Sequence, residues 1–258
     1  MIKLIASDVD GTLLNPGQQI ISPSLESSLS TWLKNNNTLA FASGRSYSSL
    51  RQFFEKFASN NTYFICHDGA VTVHNGKVIY SKPISFSDIL KILTSSQYDD
   101  CTKILCSPFC SYIIGQDKHG VVLSSIHSDT VQTVSGVYEI KEPIVKIVIY
   151  NSQKTPAESK ICPAMLRVSY NRDGFCEYVS AIANKGNALS DLQMRLYLSK
   201  LDTAAFGDGE NDVEMMRHAK IAVSVGKNCS EKLKSVCSQH ADVLDTFLDD
   251  FILYVDKK

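Results

Sequence analysis

Apolar runs alternate with helical periodicity over the first 66 residues of the chain. Runs at 2–7, 38–42 and 62–66 are mostly apolar, which is typical of strands that are covered on both faces. The segments 22–34 and 46–57 between them carry apolar residues at the spacing of an amphipathic helix. This order of strands and helices predicts a parallel sheet with helices packed on it.

The pattern changes after residue 70. Residues 70–80 alternate in polarity around Asn75-Gly76, a strong signal for a tight hairpin. In the following segment the strand candidates are 101–106, 110–115, 144–150, 166–171 and 175–180, with a hairpin signal at Asp173-Gly174, and the helix candidates are 86–97 and 155–165. We therefore expect a separate α+β module at 83–182.

The α/β pattern returns at residue 185. The helix candidates there are 185–198, 211–218 and 228–237, and the strand candidates are 203–207 and 220–225. The sequence therefore predicts an α/β fold with a Rossmann-like, parallel-sheet core domain. We expect this core to consist of 1–82 and 183–258, and to carry an inserted α+β domain at 83–182.

Composition and charge narrow the classes of function. Of the 258 residues, 44% are hydrophobic and 21% are charged, which is ordinary for a globular protein. The formal net charge is −1, so no overall basic field is available to hold nucleic acid or an anionic membrane. The N-terminus reads as a buried strand and not as a signal peptide, and no apolar stretch reaches the ~20 residues that cross a bilayer. We expect a cytoplasmic protein.

Eight cysteines are present, and none of them forms a Cys-x-x-Cys pair. Cys101, Cys106 and Cys110 lie close together in the chain, but their spacing is irregular and no matching pair of zinc ligands accompanies them. We expect structural thiols, and neither a disulfide framework nor a zinc site.

Two carboxylates follow the first predicted strand, in the motif Asp-Val-Asp-Gly-Thr at 8–12. Catalytic groups of open parallel sheets collect at the carboxyl ends of strands. In extended backbone the side chains of Asp8 and Asp10 point the same way, so one can act as nucleophile and metal ligand while the other carries a proton. The alternative interpretation is a strand-end turn, in which Asp and Gly are common.

Two further clusters suit a phosphate group. Ser43 and Gly44 follow the second predicted strand, where a hydroxyl and backbone N–H groups at a helix start favour an anion. Simple helix capping by Ser43 is the alternative. Lys185 begins a predicted helix, where the helix dipole opposes a positive charge unless an anion lies nearby. A solvated surface lysine is the alternative there.

The densest cluster is the loop Gly-Asp-Gly-Glu-Asn-Asp at 207–212, which begins where another apolar run ends. Asp208 and Asp212 offer the hard oxygen ligands that Mg²⁺ prefers. A calcium loop is the competing interpretation, but the spacing of an EF-hand loop is absent.

Taken in order, the four clusters resemble the four motifs of the haloacid dehalogenase-like (HAD) phosphatase superfamily. The residues that carry the resemblance are those at 8–12, Ser43, Lys185 and the loop at 207–212. The insertion lies where this superfamily has its class II cap, and the tail at 221–244 is similar to that of the Cof-type subfamily. The resemblance covers essentially the whole chain and implies a phosphoric monoester hydrolase.

The resemblance also implies a role for each residue. Asp8 would attack phosphorus and form an aspartyl-phosphate, and Asp10 would protonate the leaving oxygen and then activate water. The implied Mg²⁺ ligands are Asp8, the backbone carbonyl of Asp10 and Asp208, with Asp212 in support, and the implied phosphate-binding residues are Thr12, Ser43, Gly44, Lys185 and Asn211. The implied substrates are small phosphomonoesters such as sugar phosphates, selected by the cap.

Several alternatives stay open at this level. A phosphotransferase or phosphomutase of the same fold would deliver the phosphoryl group to a hydroxyl instead of water. A signalling receiver module also gathers acids, Mg²⁺, a hydroxyl and a lysine around a phosphorylated Asp, but it is shorter and has no cap. The chain is equally compatible with a monomer and with a homodimer.

Some positions outside the four clusters are also open. Asp68 stands where the subfamily usually has Asn, and we interpret it as a turn cap more readily than as a determinant of substrate choice. Arg45 either orients the substrate or the Ser43 loop, or merely pairs with a carboxylate.

We expect a surface position for Arg167, Tyr170 and Arg172, and a core position for Phe53, Phe54 and Phe57.

Overall fold

The elements expected at the start of the chain all form. The computed structural model describes residues 1–15, 17–18, 20–117, 130–153 and 163–255. Its first elements are β1 (Leu4–Asp8), α1 (Pro23–Lys34), β2 (Thr38–Ala42), α2 (Tyr47–Phe54) and β3 (Thr62–Cys66). Each helix begins where a serine caps it, because the side chain of Ser22 accepts from the Leu25 N–H and that of Ser46 from the Ser49 N–H.

The predicted hairpin follows as β4 (Val71–His74) and β5 (Lys77–Ser81). Its turn is made by Asn75 and Gly76, which both have positive φ, at 49° and 71°. A two-residue turn of this kind matches the twist of the strands that it joins, so the sequence signal at this position is confirmed.

The inserted segment contains one α-helix and six strands among its described residues. They are α3 (Phe86–Leu93), β6 (Thr102–Cys106), β7 (Ser111–Ile114), β8 (Val131–Val134), β9 (Lys146–Tyr150), β10 (Leu166–Arg172) and β11 (Phe175–Ser180). Strand β8 was not expected, because its residues are half-exposed or exposed apart from Val134. The helix predicted at 155–165 lies largely outside the described residues.

The C-terminal part returns to alternating strands and helices. Its elements are α4 (Lys185–Arg195), β12 (Thr203–Gly207), α5 (Val213–Arg217), β13 (Ile221–Val225), α6 (Glu231–Lys234), β14 (Gln239–Ala241) and α7 (Leu244–Val255). The helix predicted at 228–237 is much shorter than expected, because Ser230 caps it and Ser235 donates back to the Lys232 carbonyl. Strand β14 and helix α7 were not predicted.

The described strands form two sheets. The larger has the order β14-β13-β12-β1-β2-β3-β4-β5, with six parallel strands and the antiparallel hairpin at one edge. One apolar cluster beneath α1, α2 and α7 covers one face of this sheet, and a second beneath α4, α5 and α6 covers the other. Phe54 and Phe57 are buried in the first cluster with Phe53 packed against it, so their core position is confirmed.

The smaller sheet has the order β10-β11-β9-β6-β7-β8 and is antiparallel except between β7 and β8. Helix α3 packs on one of its faces, where Ile89 and Ile92 join Ile147 and Tyr178. This α/β architecture of a parallel-sheet core with an inserted α+β unit agrees with the expected fold class. The domain boundaries at 82 and 183 stay a prediction.

Two further expectations concern cysteines and membranes. Of the seven described cysteines, all but the half-buried Cys237 are buried, while Cys162 lies outside the described residues. Within the described ranges, each helix is too short or too polar to traverse a lipid bilayer.

Candidate active site

The predicted site residues gather at the carboxyl edge of three neighbouring strands. Strand β1 lies between β2 and β12 and is parallel to both. Asp8 ends β1, Ser43 follows β2, and Asp208 follows β12. Because parallel strands end at the same edge, residues from three distant parts of the chain share one location.

Lys185 lies at the centre of this location. Its side chain is only 1% exposed, and its Nζ lies 2.5 Å from Asp8 Oδ1 and 2.6 Å from Asp212 Oδ1. Lys185 is the first residue of α4, where the helix dipole opposes its charge, and the two carboxylates supply the compensating anions. The alternative of a solvated surface lysine is therefore wrong.

A third carboxylate, that of Asp208, lies close to the two that contact this amine. One oxygen each from Asp8, Asp208 and Asp212 lies within 4.8 Å of the others. Burial, and next the charge of Asp212, raise the pKa of Asp8 well above its ordinary value, although Lys185 opposes this. Burial is also the main reason that the pKa of Asp208 is raised. These three hard oxygen ligands fit a divalent cation, because its charge would reduce the repulsion among the three carboxylates.

Asp212 organises the loop that carries Asp208. Its Oδ2 accepts hydrogen bonds from the Asp208 N–H at 3.1 Å and the Gly209 N–H at 3.0 Å, while its Oδ1 faces Lys185. The segment expected to be helical from 211 therefore begins as a 3-10 turn at Glu210–Asp212, and the α-helix starts only at Val213. Asn211 is exposed on this turn, at the rim of the buried cluster.

Gly11 and Thr12 pack directly against the carboxylates. Gly11 has a φ of +93°, and a Cβ at this position would lie 2.2 Å from Asp208 Oδ2, so no other residue fits. The Thr12 hydroxyl lies 3.3 Å from both Asp8 Oδ2 and Asp208 Oδ1, which places it between the first strand and the acidic loop.

Asp10 lies beside this group and is bound differently. The Arg45 guanidinium holds its carboxylate in a fork, with Nη2 2.6 Å from Oδ1 and Nε 2.9 Å from Oδ2, and Ser43 Oγ lies 3.3 Å from Oδ2. The Asp10 side chain is 49% exposed, and its carboxylate is not part of the three-carboxylate group. Of the alternatives for Arg45, the structure therefore favours pairing with a carboxylate.

The Ser43 loop is a separate structure from the helix that follows it. Helix α2 begins at Tyr47 and is capped by Ser46, so the alternative that Ser43 merely caps a helix is wrong. The Ser43 hydroxyl instead accepts a hydrogen bond from the Arg45 N–H at 3.2 Å and lies against Asp10.

Two cap residues that contact the core were missed or misjudged from sequence. Lys146, in β9, is buried against Asp68 and was not singled out, since nothing local marks it. Arg167, expected on the surface, is half-buried and donates to the Ala183 carbonyl at 2.8 Å. Tyr170 is half-buried and donates to Asp173, and Arg172 is exposed as expected.

Comparison with known proteins places this geometry in a family. The model of the haloacid dehalogenase-like hydrolases matches residues 5–246. The 5-amino-6-(5-phospho-D-ribitylamino)uracil phosphatase YbjI of Escherichia coli (strain K12) is 25% identical over 230 residues, which are 84% of this chain and 83% of that protein.

Solved structures share the whole fold. A haloacid dehalogenase-like hydrolase from Bacteroides thetaiotaomicron superposes with a TM-score of 0.83 at 18% identity, covering 97% of this chain and 100% of the other. A HAD subclass IIB sugar phosphatase superposes with a TM-score of 0.77 at 19% identity, covering 96% and 98%. The family match spans almost every element that builds the carboxylate edge, and the chain therefore belongs to the haloacid dehalogenase-like hydrolases, in their Cof-type subfamily.

Proposed function

We propose that this protein is a Mg²⁺-dependent phosphatase that hydrolyses small phosphomonoesters through an aspartyl-phosphate on Asp8. The observation that carries the proposal is the buried contact of Lys185 with Asp8 and Asp212, beside Asp208. A nucleophilic carboxylate, a cation beside it and a metal-ligating pair of acids are the groups that phosphoryl transfer needs in one place.

The metal would be held by the carboxylates of Asp8 and Asp208 and by the backbone carbonyl of Asp10. Asp212 would support Asp208 through the loop hydrogen bonds described above. When bound, Mg²⁺ would neutralise charge on the phosphoryl oxygens and on the acidic cluster. The rigid approach of Gly11 to the Asp208 carboxylate would keep this ligand in place.

The first chemical step forms the intermediate. A carboxylate oxygen of Asp8 attacks phosphorus, and the bond between phosphorus and the leaving oxygen breaks. Asp10, as the carboxylic acid, donates its proton to that oxygen, so the alcohol leaves neutral and Asp10 is left ionised. Its place beside Ser43 and Arg45, at the half-exposed mouth of the site, is where a leaving group would meet it.

The second step consumes the intermediate. A water oxygen attacks phosphorus, and the bond to the Asp8 oxygen breaks, which restores the Asp8 carboxylate. Asp10 takes a proton from the attacking water and returns to its starting state. Inorganic phosphate then leaves, and each atom of the substrate and the water is accounted for in the alcohol and the phosphate.

The phosphoryl oxygens would be bound by groups from three loops and from the first residue of α4. These groups are the hydroxyls of Thr12 and Ser43, the Gly44 N–H, the Lys185 amine and the Asn211 amide. Lys185 is already fixed by two carboxylates, so its charge would need little reorganisation during the reaction. Asn211, exposed at the rim, would contact the phosphate only once the substrate has entered.

The substrate class is proposed from the relatives and the cap. YbjI is named for a phosphorylated ribitylaminouracil, and a structural neighbour is described as a sugar phosphatase. We propose a small phosphorylated metabolite, such as a sugar phosphate, that the inserted unit at 83–182 selects. Cytoplasmic residence belongs to the same proposal, and the oligomeric state, monomer or homodimer, stays open.

A phosphotransferase is the second candidate, because Asp10 would activate a sugar hydroxyl as readily as water. Membership of the hydrolase family argues against the signalling-receiver alternative. Product analysis distinguishes the phosphatase from the phosphotransferase, since a transferase yields a new phosphoester and little free phosphate when acceptor alcohols are present.

The deciding experiment measures phosphate release from a panel of phosphomonoesters, with Mg²⁺ and with a chelator. Wild type is compared with Asp8→Asn, and Asp250→Asn, an exposed acid on α7, is the matched control. Release that requires both Mg²⁺ and Asp8 supports the proposal. Release that persists in Asp8→Asn contradicts it.

A further inference from the structure

A lysine of the inserted sheet reaches into the core beside the proposed phosphate loop. Lys146 is buried, and its Nζ lies 2.9 Å from Asp68 Oδ2 and 2.6 Å from Glu177 Oε2. The same amine donates a hydrogen bond to the Gly44 carbonyl at 2.9 Å. One side chain therefore joins the sheet of the insertion to the loop at 43–45.

The core partner, Asp68, is held in an unusual backbone conformation. His67, Asp68 and Gly69 have consecutive positive φ angles of 50°, 57° and 85°. A Cβ on Gly69 would lie 2.2 Å from the Asn184 carbonyl, so this turn packs tightly against the residue that caps α4. Two non-glycine residues in the left-handed region persist only when their surroundings determine them, which indicates a rigid turn.

This turn fixes the loop that carries Ser43. The Asp68 N–H donates to the Ser43 carbonyl at 3.1 Å, and the His67 N–H donates to the Arg45 carbonyl at 2.9 Å. The carbonyl between these two, that of Gly44, accepts from Lys146. Three consecutive carbonyls of the loop therefore have donors, two from the core and one from the insertion.

The Lys146 hydrogen bond orients one particular peptide. The Gly44 carbonyl and the Arg45 N–H belong to the same planar trans unit, so they point in opposite directions. That N–H donates to Ser43 Oγ, the hydroxyl proposed to bind phosphate. Rotation of this peptide would move the Arg45 N–H away from the hydroxyl, and Lys146 opposes such a rotation.

The charges around Lys146 favour the ionised forms of Asp68 and of the lysine itself. Burial would raise the pKa of Asp68, but Lys146 lowers it below its ordinary value. Burial likewise opposes the charge of Lys146, and Asp68 and then Glu177 raise its pKa. An asparagine at position 68 would still accept a hydrogen bond from the lysine but would carry no charge, so Asp68 strengthens the connection between the insertion and the core.

We propose that Lys146 is a positioning residue: its contacts with Asp68 and the Gly44 carbonyl dock the inserted unit on the core and hold the Ser43–Arg45 loop in its phosphate-binding form. The inference rests on the proposed function for the identity of the ligand, but not for the docking itself. A loop completed by the insertion binds phosphate well only while the insertion is docked, so substrate selection and phosphate binding are coupled.

The test uses the full-length protein and two measurements that need no turnover. Hydrogen exchange follows the amides of Arg45, His67 and Asp68, and calorimetry follows the binding of inorganic phosphate in the presence of Mg²⁺. Lys146→Met alone leaves the buried Asp68 carboxylate without its lysine and risks misfolding, so the decisive variant is Lys146→Met combined with Asp68→Asn.

Two further variants make the comparison specific. Asp68→Asn alone removes the charge but keeps the hydrogen bond from Lys146 to Gly44. Lys103→Met is the matched control, because Lys103 lies in the same sheet and donates to the Leu93 carbonyl within the insertion. We expect the double variant to exchange these amides about tenfold faster and to bind phosphate about 10- to 100-fold more weakly. Asp68→Asn should weaken phosphate binding less than the double variant does, and Lys103→Met should stay within about threefold of wild type.

The proposal is overturned if the double variant binds phosphate and exchanges its amides as wild type does. It is also overturned if Asp68→Asn alone weakens binding as much as the double variant, since the charge of Asp68 would then be responsible and not the lysine. If wild type releases phosphate from no substrate, the proposed function fails, while the exchange measurement still reports on Lys146.

Discussion

The amine of Lys185 and a carboxylate oxygen of Asp8 lie 2.5 Å apart, although the two residues are 177 positions apart in the chain. The same amine contacts Asp212, which in turn holds the backbone of the loop that carries Asp208. The lysine is thus the counter-ion of the buried acids, and the proposed function also assigns it to the phosphate. Its removal tests both functions.

Lys185→Met should destabilise the protein, because two buried carboxylates lose the amine that both of them contact. In the presence of a chelator we expect the free energy of unfolding to fall by about 3–5 kcal/mol. Mg²⁺ should raise the melting temperature of this variant more than that of wild type, since the ion supplies the missing positive charge. Thermal denaturation with and without Mg²⁺ measures both effects, and Lys200→Met, an exposed lysine, is the control. An unchanged melting temperature would contradict the role of Lys185.

Gly11→Ala should abolish Mg²⁺-dependent turnover, because its Cβ would overlap the Asp208 carboxylate at 2.2 Å. Gly17→Ala is a matched control in the same segment. Gly17 also has a positive φ, of +82°, but no atom lies within 4 Å of its Cβ position. We expect a loss of about 100-fold or more for Gly11→Ala and near wild-type phosphate release for Gly17→Ala. If both variants lost turnover equally, backbone strain would be the cause, and not the overlap with the Asp208 carboxylate.

Asp10→Asn should separate the two chemical steps. A p-nitrophenyl leaving group needs no proton, so the first step should continue, whereas the hydrolysis of the aspartyl-phosphate lacks its base. Rapid mixing with p-nitrophenyl phosphate should show a burst of about one p-nitrophenol per site, followed by turnover slowed by about 10²–10⁴-fold. A variant that hydrolyses alkyl phosphates at the wild-type rate would exclude Asp10 as the acid and base.

His67 predicts a pH dependence of stability. Burial, and next the charge of Lys146, lower the pKa of His67 from 6.5 to about 3, so the folded protein keeps this ring neutral. Below pH 6.5 the unfolded chain binds a proton that the folded chain does not, and stability is lost as the pH falls towards 3. Between pH 6 and 4, the free energy of unfolding of wild type should therefore fall by about 1 kcal/mol per pH unit more than that of His67→Asn.

Asparagine suits this test, because it tolerates the left-handed backbone at position 67. Chemical denaturation at a series of pH values gives the slope for each protein. If His67→Asn and wild type have the same slope, the buried neutral ring makes no contribution.

Local patterns predicted the elements that build the carboxylate edge. Each of β1, β2, β3 and β12 is a short apolar run, and a run of this kind can be read without knowing its neighbours. Elements without such a pattern were missed. Strand β14 has only three residues, of which two are exposed, and its pairing with β13 defines it.

The sequence by itself determined which residue types stand at the strand ends, because the end of an apolar run and a polar motif after it are both local features. Only the tertiary structure decided that Lys185 is buried against Asp8 and that Asp10 turns to Arg45. It also decided that Lys146 of the insertion pairs with Asp68 of the core. Such contacts depend on how separate segments pack. A charged side chain that becomes buried is costly unless an opposite charge or a hydrogen bond compensates it, and the local sequence does not show which side chains become buried.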